Sequence, residues 1–579
     1  MKYLFYTLLF WLPCMLIACG DSDDTSGGGD NPPVVVPPDE EPADPRLLYN
    51  GIRLPEQWPP VRSSSSELEK GMSPFYLSDK PSVIHISIGR QLFVDNFLIE
   101  STNLKRTFYY PEYYSGNPIL TPDQEWEKTG TKGAAFAAPF SDGVWYDEKE
   151  GKYKIWYMAG GGSYATSGAG VTCYAESTDG INWTKPVLSV VPGTNIVDYN
   201  SERDASVVWV DKQESNASKR YKMFLVAREA GKWRYNYKTS SDGKVWRAAT
   251  QSEPIADRST VYKNPFRNVW VYSMRHNVRV DANKLVRARD YNENIDPQAG
   301  TKKAEALLSA FWFGPWANEQ RHPDYPEVDP GIYNFDAIAY ESIMLGLYSV
   351  WQGPENNVCA KLGIQKKNEI FLGYSRDGFH FSRPSFRPFM AVNETEGAWN
   401  WGNMQSVNGV PLVVGDSLYF YSSGRRLNNI MWDSYTSTGL ATLRRDGFVS
   451  MQAGKTEGYL VTEKLTFDGK YLFVNADVHN KKGVLAVEVL DENGNPIPGY
   501  TKKECVAWKK VNSTKQAVIW KDAKDLSALS GKTIRLKFYV TNGDLYSFWI
   551  SPWETGESRG YTAGGGPGLS PEGIDKPVK

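Results

Sequence analysis

Four stretches of the chain repeat one short pattern: Ser177-Thr178-Asp179-Gly180-Ile181-Asn182-Trp183, Ser241-Asp242-Gly243-Lys244-Val245-Trp246, Ser375-Arg376-Asp377-Gly378-Phe379-His380-Phe381 and Arg445-Asp446-Gly447-Phe448. Asp-Gly after an apolar, aromatic run is a tight-turn signal, because glycine tolerates the positive φ of the turn and a following aromatic can pack back over it. One such turn suits any β protein. Four, each closing a similar stretch, constrain the chain to a repeat whose units bury their faces against one another.

Working back from each turn exposes the unit. Val144-Trp145-Tyr146-Asp147 is followed by Tyr153-Lys154-Ile155-Trp156-Tyr157 and a strand ending at Ser177; Val208-Trp209-Val210-Asp211 is followed by Tyr221-Lys222-Met223-Phe224 and a strand ending at Ser241. A third unit holds Val261 to Pro265, Val269 to Ser273 and Leu285 to Tyr291, without the Asp-Gly turn. A fourth holds Asp336 to Tyr340, Ile343 to Trp351 and Glu369 to Ser375, and a fifth Val413 to Leu418, Tyr419 to Tyr421 and Gly439 to Arg445. Long helical periodicity is nearly absent, so the chain reads as all-β. Five units of this kind predict a five-bladed β-propeller over 46–453, about four strands per blade around a central channel. A segment from Gln91 to Tyr110 is expected to close the ring with the last blade. From 454 to 555 the pattern changes to alternating strands with Asp-Glu-Asn-Gly and Asn-Gly-Asp turns, which predicts a C-terminal β-sandwich. The tail, 556–579, is expected to be loosely ordered.

The composition narrows the partners. Twenty Trp, 34 Tyr and 24 Phe favour strands and also suit stacking on sugars, while 65 basic against 67 acidic side chains leave no footprint for nucleic acid or an anionic membrane. The opening residues carry Lys2, an apolar run from Tyr3 to Ile17 and Leu16-Ile17-Ala18-Cys19-Gly20, too short to span a bilayer and shaped like a secretory signal. This resembles a bacterial lipobox, which implies a signal peptide over 1–18 and a lipid on Cys19 as the only membrane contact. The acids Asp21, Asp23 and Asp24 resemble the surface-export signal of lipoproteins in glycan-foraging Gram-negative bacteria, which implies an outer-membrane or cell-surface location. Residues 19–45 read as a flexible tether. Cys173, Cys359 and Cys505 are too dispersed for a disulfide framework, and five His show no metal spacing. No metal or cofactor is expected, with a structural cation in the channel left open.

Propellers bind ligands where the innermost strands present their first residues side by side. Five residues back from Trp209 is Asp204, five back from Tyr262 is Asp257, and Asp336 stands in the matching place before Ala337. The first blade offers Phe140 at that count, so the acids are not a feature of every repeat. Three acids at one register position, with Arg203 before one and Arg258 after another, suggest clustered carboxylates whose pKa values split into an acid and a base or nucleophile. That is the equipment of glycoside hydrolysis. Glu341 is a further candidate acid; on one regular strand it would lie ~16 Å from Asp336 at ~3.3 Å per residue and on the opposite face. It is then either a turn residue between two strands or is redirected by a bulge. Around the mouth, Trp399 and Trp401 could stack on a sugar ring, with Asn403, Gln405, Arg275 and His276 supplying hydrogen bonds.

A five-bladed propeller with acids at its mouth and a trailing sandwich resembles the glycoside hydrolase family 32, 43 and 68 superfamily over about Gln91 to Pro552. In that superfamily the first blade gives an Asp, the second an Asp often within Arg-Asp-Pro, and the third a Glu as general acid. Arg203-Asp204 is similar to the Arg-Asp pair, with Ala205 in place of Pro. Blade one has no Asp at the expected count, only Asp142 or Asp95 nearby, and blade three has Asp257 in place of Glu, so the chain is divergent from the pattern. The resemblance implies an exo-acting, furanosidase-like glycosidase on polysaccharide-derived glycans, with Asp204, Asp257, Asp336 and Glu341 as candidate catalytic groups. A non-catalytic glycan-binding lipoprotein is the alternative. A sialidase-like hydrolase is third, since the sialidase Asp-box resembles these turns but has one more residue between Asp and Gly.

Overall fold

The structure, a computed structural model, describes residues 44–578 except 65–67, 69, 129–133, 166–169, 282–283, 306–308, 365, 427–434 and 480–481. The signal, Cys19 and nearly all of the tether expected from the sequence lie outside the described residues. The chain divides after Asp44, and the fold belongs to the unit from Pro45 onward. It is nearly all β, and among the described residues no helix is long and apolar enough to cross a membrane.

Five antiparallel units succeed one another in chain order. The first comprises Ala135–Asp147, Lys152–Ala159, Val171–Ser177 and Ile196–Asp198; the second Glu202–Val210, Tyr221–Glu229, Lys232–Ser240 and Arg247–Gln251. The third comprises Thr260–Asn264, Val269–Asp281, Lys284–Asn294 and Ala310–Phe313, and the fourth Gly331–Glu341, Ile343–Gly353 and Lys367–Ser375. In the fifth, Asn403–Gln405 and Leu412–Val414 pair with Ser417–Arg425, which pairs with Tyr435–Arg444. The first strands of units one to four pack side by side in order. Unit five pairs with unit one through Tyr435–Thr436 and Ala135–Phe136, and Asp336 of unit four accepts from both Ser141 of unit one and Ser406 of unit five.

The repeated turns act as clasps between neighbours. In three of them a serine Oγ accepts the glycine amide at 2.9 Å, and the Asp Oδ1 accepts the next two backbone amides. In the second turn the serine is Ser240 rather than Ser241. Each turn carbonyl then takes a donor from an adjacent unit: Tyr421 Oη to Gly180 O at 2.9 Å, Trp156 Nε1 to Gly243 O at 2.6 Å, and Trp312 Nε1 to Phe379 O at 2.8 Å. Gly243 has a φ of 72°, and a Cβ there would overlap the Trp156 ring, so the glycine serves both the turn and the close approach. The Tyr-Lys of the first two units has a parallel logic: Lys154 and Lys222 are buried, paired to Asp147 and Asp211, and lie near the rings of Tyr221 and Trp270 in the next unit.

Two features differ from expectation. Gln91–Leu92, Ile99–Thr102 and Lys105–Phe108 do not close the ring; they join the C-terminal sheets, pairing with Gly543–Ser551, Gly458–Thr462 and Val449–Ala453. The strand that reaches the fifth unit is Glu112–Tyr113. The reason is apolar burial: Phe93 stacks on Phe548 at 5.7 Å, and Phe97, Leu98 and Ile99 share one core with Leu485, Leu536 and Phe538 between the seven-stranded and six-stranded sheets. Residues 84–108 and 449–453 thus belong with the sheets expected only from 454. The tail is also not loose. Tyr561–Thr562 pairs with Tyr340–Glu341, the Tyr146 amide donates to Gly564 O at 2.9 Å, and the Val413 amide donates to Gly565 O at 2.8 Å. Glycines let this backbone lie directly against Gly409 and Val413, and the tail covers the ends of the first strands of units one, four and five.

Candidate functional site

The opposite end of those first strands gathers the polar groups. Asp204 sits at a bulge in the first strand of unit two, and its Oδ2 accepts the backbone amide of Arg258 at 2.7 Å. Arg258 Nη2 lies 3.3 Å from Asp204 Oδ1, and its Nη1 donates to Gln405 Oε1 of unit five at 3.1 Å. Asp257, next in sequence, pairs with Arg275. Burial works against its ionisation, but Arg275 and Arg287 outweigh it and hold Asp257 below the usual carboxylate range. The structure thus brings Asp204, Asp257, Arg258 and Arg275 together, and Asn403 joins through Gln405 Nε2, which donates to Asn403 Oδ1 at 3.3 Å.

Asp336 lies deeper. It is 2% exposed, and its carboxylate accepts from Ser141, Asn334, Ser406 and Asn408. Burial pushes its pKa up to about 6 against these donors. Arg203 also turns inward: its Nη2 holds both oxygens of Asp142 at 2.9 and 3.1 Å, and its Nη1 donates to Thr172 Oγ1. Asp142 is fully buried, and that burial raises its pKa despite Arg203. Asp142 and Asp336 are thus fully buried acids, and Asp142 lies close enough to Arg258 to feel its charge.

Glu341 is at the covered end. It terminates its strand with a φ of 51°, and its carboxylate meets Arg90, Arg445 and Ser558 Oγ beneath the tail. The structure separates it from Asp204 and Asp257 and gives it the turn position between two strands. His276 is half-exposed and paired to Asp290 Oδ2 at 3.1 Å; that hydrogen bond raises its pKa. Trp399 is locked across Gly424 and Gly439, where a Cβ on either glycine would overlap its ring, so it packs the fifth unit. Trp401 is half-buried, bridged to Asn393, and neither tryptophan lines the cavity at the mouth.

That cavity, about 250 Å³, brings in residues the register count does not reach. Arg275, Arg287, Tyr333, Trp351 and Lys366 line it. Tyr333 is 8% exposed and accepts from Lys366 Nζ at 3.0 Å; Arg287 and Arg258 stand 4.7 and 5.4 Å from its ring centroid. Burial would raise the phenol, but Lys366, Arg258 and Arg287 together bring its pKa down to about 7. A perturbed group of this kind in a cleft is a candidate functional group. Behind them Arg289 Nη2 donates to Arg258 O at 2.9 Å and fixes the segment between Asp257 and the strand. Among the described residues no cluster of His, Cys, Asp and Glu could hold a metal ion.

No family model matches the chain, and no curated protein matches it. Among solved structures it is similar to a fructofuranosidase from Schwanniomyces occidentalis complexed with fructosylnystose, at 11% identity over 74% of this chain and 96% of that one, with a TM-score of 0.35. It is similar to a thermostable family-43 glycoside hydrolase at 11% identity over 56% and 95%, with a TM-score of 0.37. A glycosyl hydrolase from Bacteroides ovatus gives 13% identity over 62% and 97%, with a TM-score of 0.36. These likenesses are distant in sequence and in superposition, and the chemistry of the mouth rests on its own geometry.

Proposed function

We propose that this protein is a glycoside hydrolase built on a five-bladed β-propeller with an attached β-sandwich, exported and held at the outer surface of a Gram-negative bacterium by a lipid on Cys19. The observation that carries the enzymatic part is the meeting of Asp204 and Asp257, from two adjacent units, on either side of Arg258 at the uncovered end of the ring. Asp257, kept ionised by arginines, suits the base or nucleophile of glycoside hydrolysis. Asp204 orients Arg258 and thereby the floor on which a sugar would sit. Trp351 offers an aromatic face in a cavity that Arg275, the partner of Asp257, also lines. An exo-acting, furanosidase-like specificity is the form of this activity that the sequence resemblance supports.

The test is incubation of the purified protein with a panel of plant and microbial oligosaccharides, read by chromatography, for wild type and for Asp257→Asn. The proposal expects release of a mono- or disaccharide that falls by at least ~10²-fold in the variant while binding persists. A second reading, a glycan-binding protein without turnover, is favoured by one observation: both mouth carboxylates are engaged by arginine. Binding without release from any glycan would select it.

A further inference from the structure

The mouth carries more positive charge than its own carboxylates match. Asp204 is engaged by Arg258 and Asp257 by Arg275. That leaves Lys366 and Arg287, the latter acting on Asp257 only through its charge; neither lies within ion-pair distance of a carboxylate among the described residues. Lys366 is 8% exposed, and the one side-chain oxygen its ammonium meets is the phenol of Tyr333. Arg287 Nη1 is buried without any hydrogen-bond partner. A buried lysine with no counter-ion and an unpaired guanidinium N–H each cost stability, and such a pair facing one cavity is arranged to receive something. The cavity they face also holds Arg275, the phenol of Tyr333, the indole of Trp351 and one acid, the exposed Glu355, so its cations outnumber its carboxylates. A planar acceptor with two oxygens suits the guanidinium fork, and the ammonium beside it adds a point charge.

We propose that this cavity is a subsite for an acidic sugar, with the carboxylate of a uronate received between Arg287 and Lys366 and its ring set against Trp351. The proposal rests on the reading that the mouth takes a glycan, and names the class of glycan. Within the protein alone Tyr333 serves as the internal partner of the cations, a role consistent with its depressed pKa; the bound carboxylate takes over that role and the phenol keeps its proton.

Calorimetric titration with short oligomers of galacturonate and of glucuronate, each as free acid and as methyl ester, tests this on the intact protein. The expected result is binding of at least one free acid, at least tenfold weaker binding of its ester, and weakening of the acid alone as salt is raised. Arg287→Met and Lys366→Met should each lower affinity for the acid at least tenfold and narrow its advantage over the ester, with thermal midpoints showing that both variants are folded. Equal affinity for acid and ester, or binding of neutral oligosaccharides alone, overturns the acidic subsite while leaving the glycosidase reading intact. Binding of free glucuronate with no binding or cleavage of any oligosaccharide supports the carboxylate site and overturns the glycosidase reading. No binding of any acid overturns the proposal.

Discussion

Arg258 turns its backbone amide onto Asp204 at 2.7 Å while holding a φ of 55°, a left-handed conformation that a side-chain-bearing residue adopts at a cost. The Asp204 carboxylate secures that turn twice, through the amide and through the guanidinium.

Asp204→Ala should therefore act through Arg258. Binding or turnover is expected to fall at least tenfold, whereas Arg258→Gly, which keeps the amide and suits the positive φ, should retain the fold and lose the guanidinium contribution only. Comparing KM and kcat of the two variants separates the roles: a loss confined to KM in both marks binding, and a loss in kcat for Asp204→Ala marks alignment of Asp257.

Tyr333 offers a spectroscopic signature. With a phenol pKa of about 7 in the folded protein against an ordinary value of 10.0, one tyrosine should ionise near neutrality. A titration followed at the phenolate absorbance should show one early step, absent in Tyr333→Phe and moved to higher pH in Lys366→Met. Because the folded pKa lies below the unfolded one, the native state binds fewer protons between them, so this group's contribution to stability grows as pH rises from about 7 toward 10.

Asp336 has the opposite sign. Its folded pKa, about 6, lies above the ordinary 3.8 because burial disfavours the charge. Its favourable contribution is fully present below the unfolded value and is lost as pH rises through about 6, an effect of about 3 kcal/mol at about 1.4 kcal/mol per pKa unit. Asp336→Asn, which keeps the shape but cannot ionise, should flatten the pH dependence of the urea midpoint between pH 4 and 7. An unchanged slope in that variant would show that Asp336 does not bind the proton.

What the sequence could show of this molecule came from periodicity. Turns and alternating runs are local, so the five units and the later change of pattern were legible, and so were Asp204 and Asp257, which stand at equal distances before matching strands. What it could not show depends on partners far along the chain. Gln91 to Phe108 carry no local marker of the sheet they join, and only the distant C-terminal strands decide where they pair. Gly560 to Gly568 fall in the tail expected to be loosely ordered, yet here the lack of side chains permits backbone contact with Gly409 and Val413. Asp336 kept company with Asp204 in the count but lies deeper, among Ser141, Ser406 and Asn408. Tyr333 and Lys366 had no signal of their own: both lie outside the strands counted for the fourth unit, and Lys366 reaches Tyr333 from the segment just before Lys367–Ser375.

The four Asp-Gly turns, alike in sequence, should separate in stability. Asp179 is exposed and caps its own turn, accepting from the amides of Ile181 and Asn182; Asp179→Ala removes local hydrogen bonds near solvent and should cost about 1 kcal/mol. Asp446 is fully buried and left-handed, and it accepts from Arg90, Tyr340, Asn475 and Ser547, so it ties the fifth unit to the fourth and to the C-terminal sheets. Burial alone would raise its pKa, but Arg90 and Arg445 outweigh that and bring it to about 2. Asp446→Ala removes the nearer of the two carboxylates that face buried Arg90, leaving Glu341 at 3.5 Å, and should cost roughly 3 kcal/mol, the low end for loss of one member of a buried pair. Its own pH dependence has the depressed-carboxyl sign: the contribution is present above the ordinary carboxylate pKa and is lost as pH falls through about 2. Urea midpoints at pH 7 for the two variants decide the matter. Equal shifts would show that Asp446 is one more rim turn and that Arg90 finds its support elsewhere.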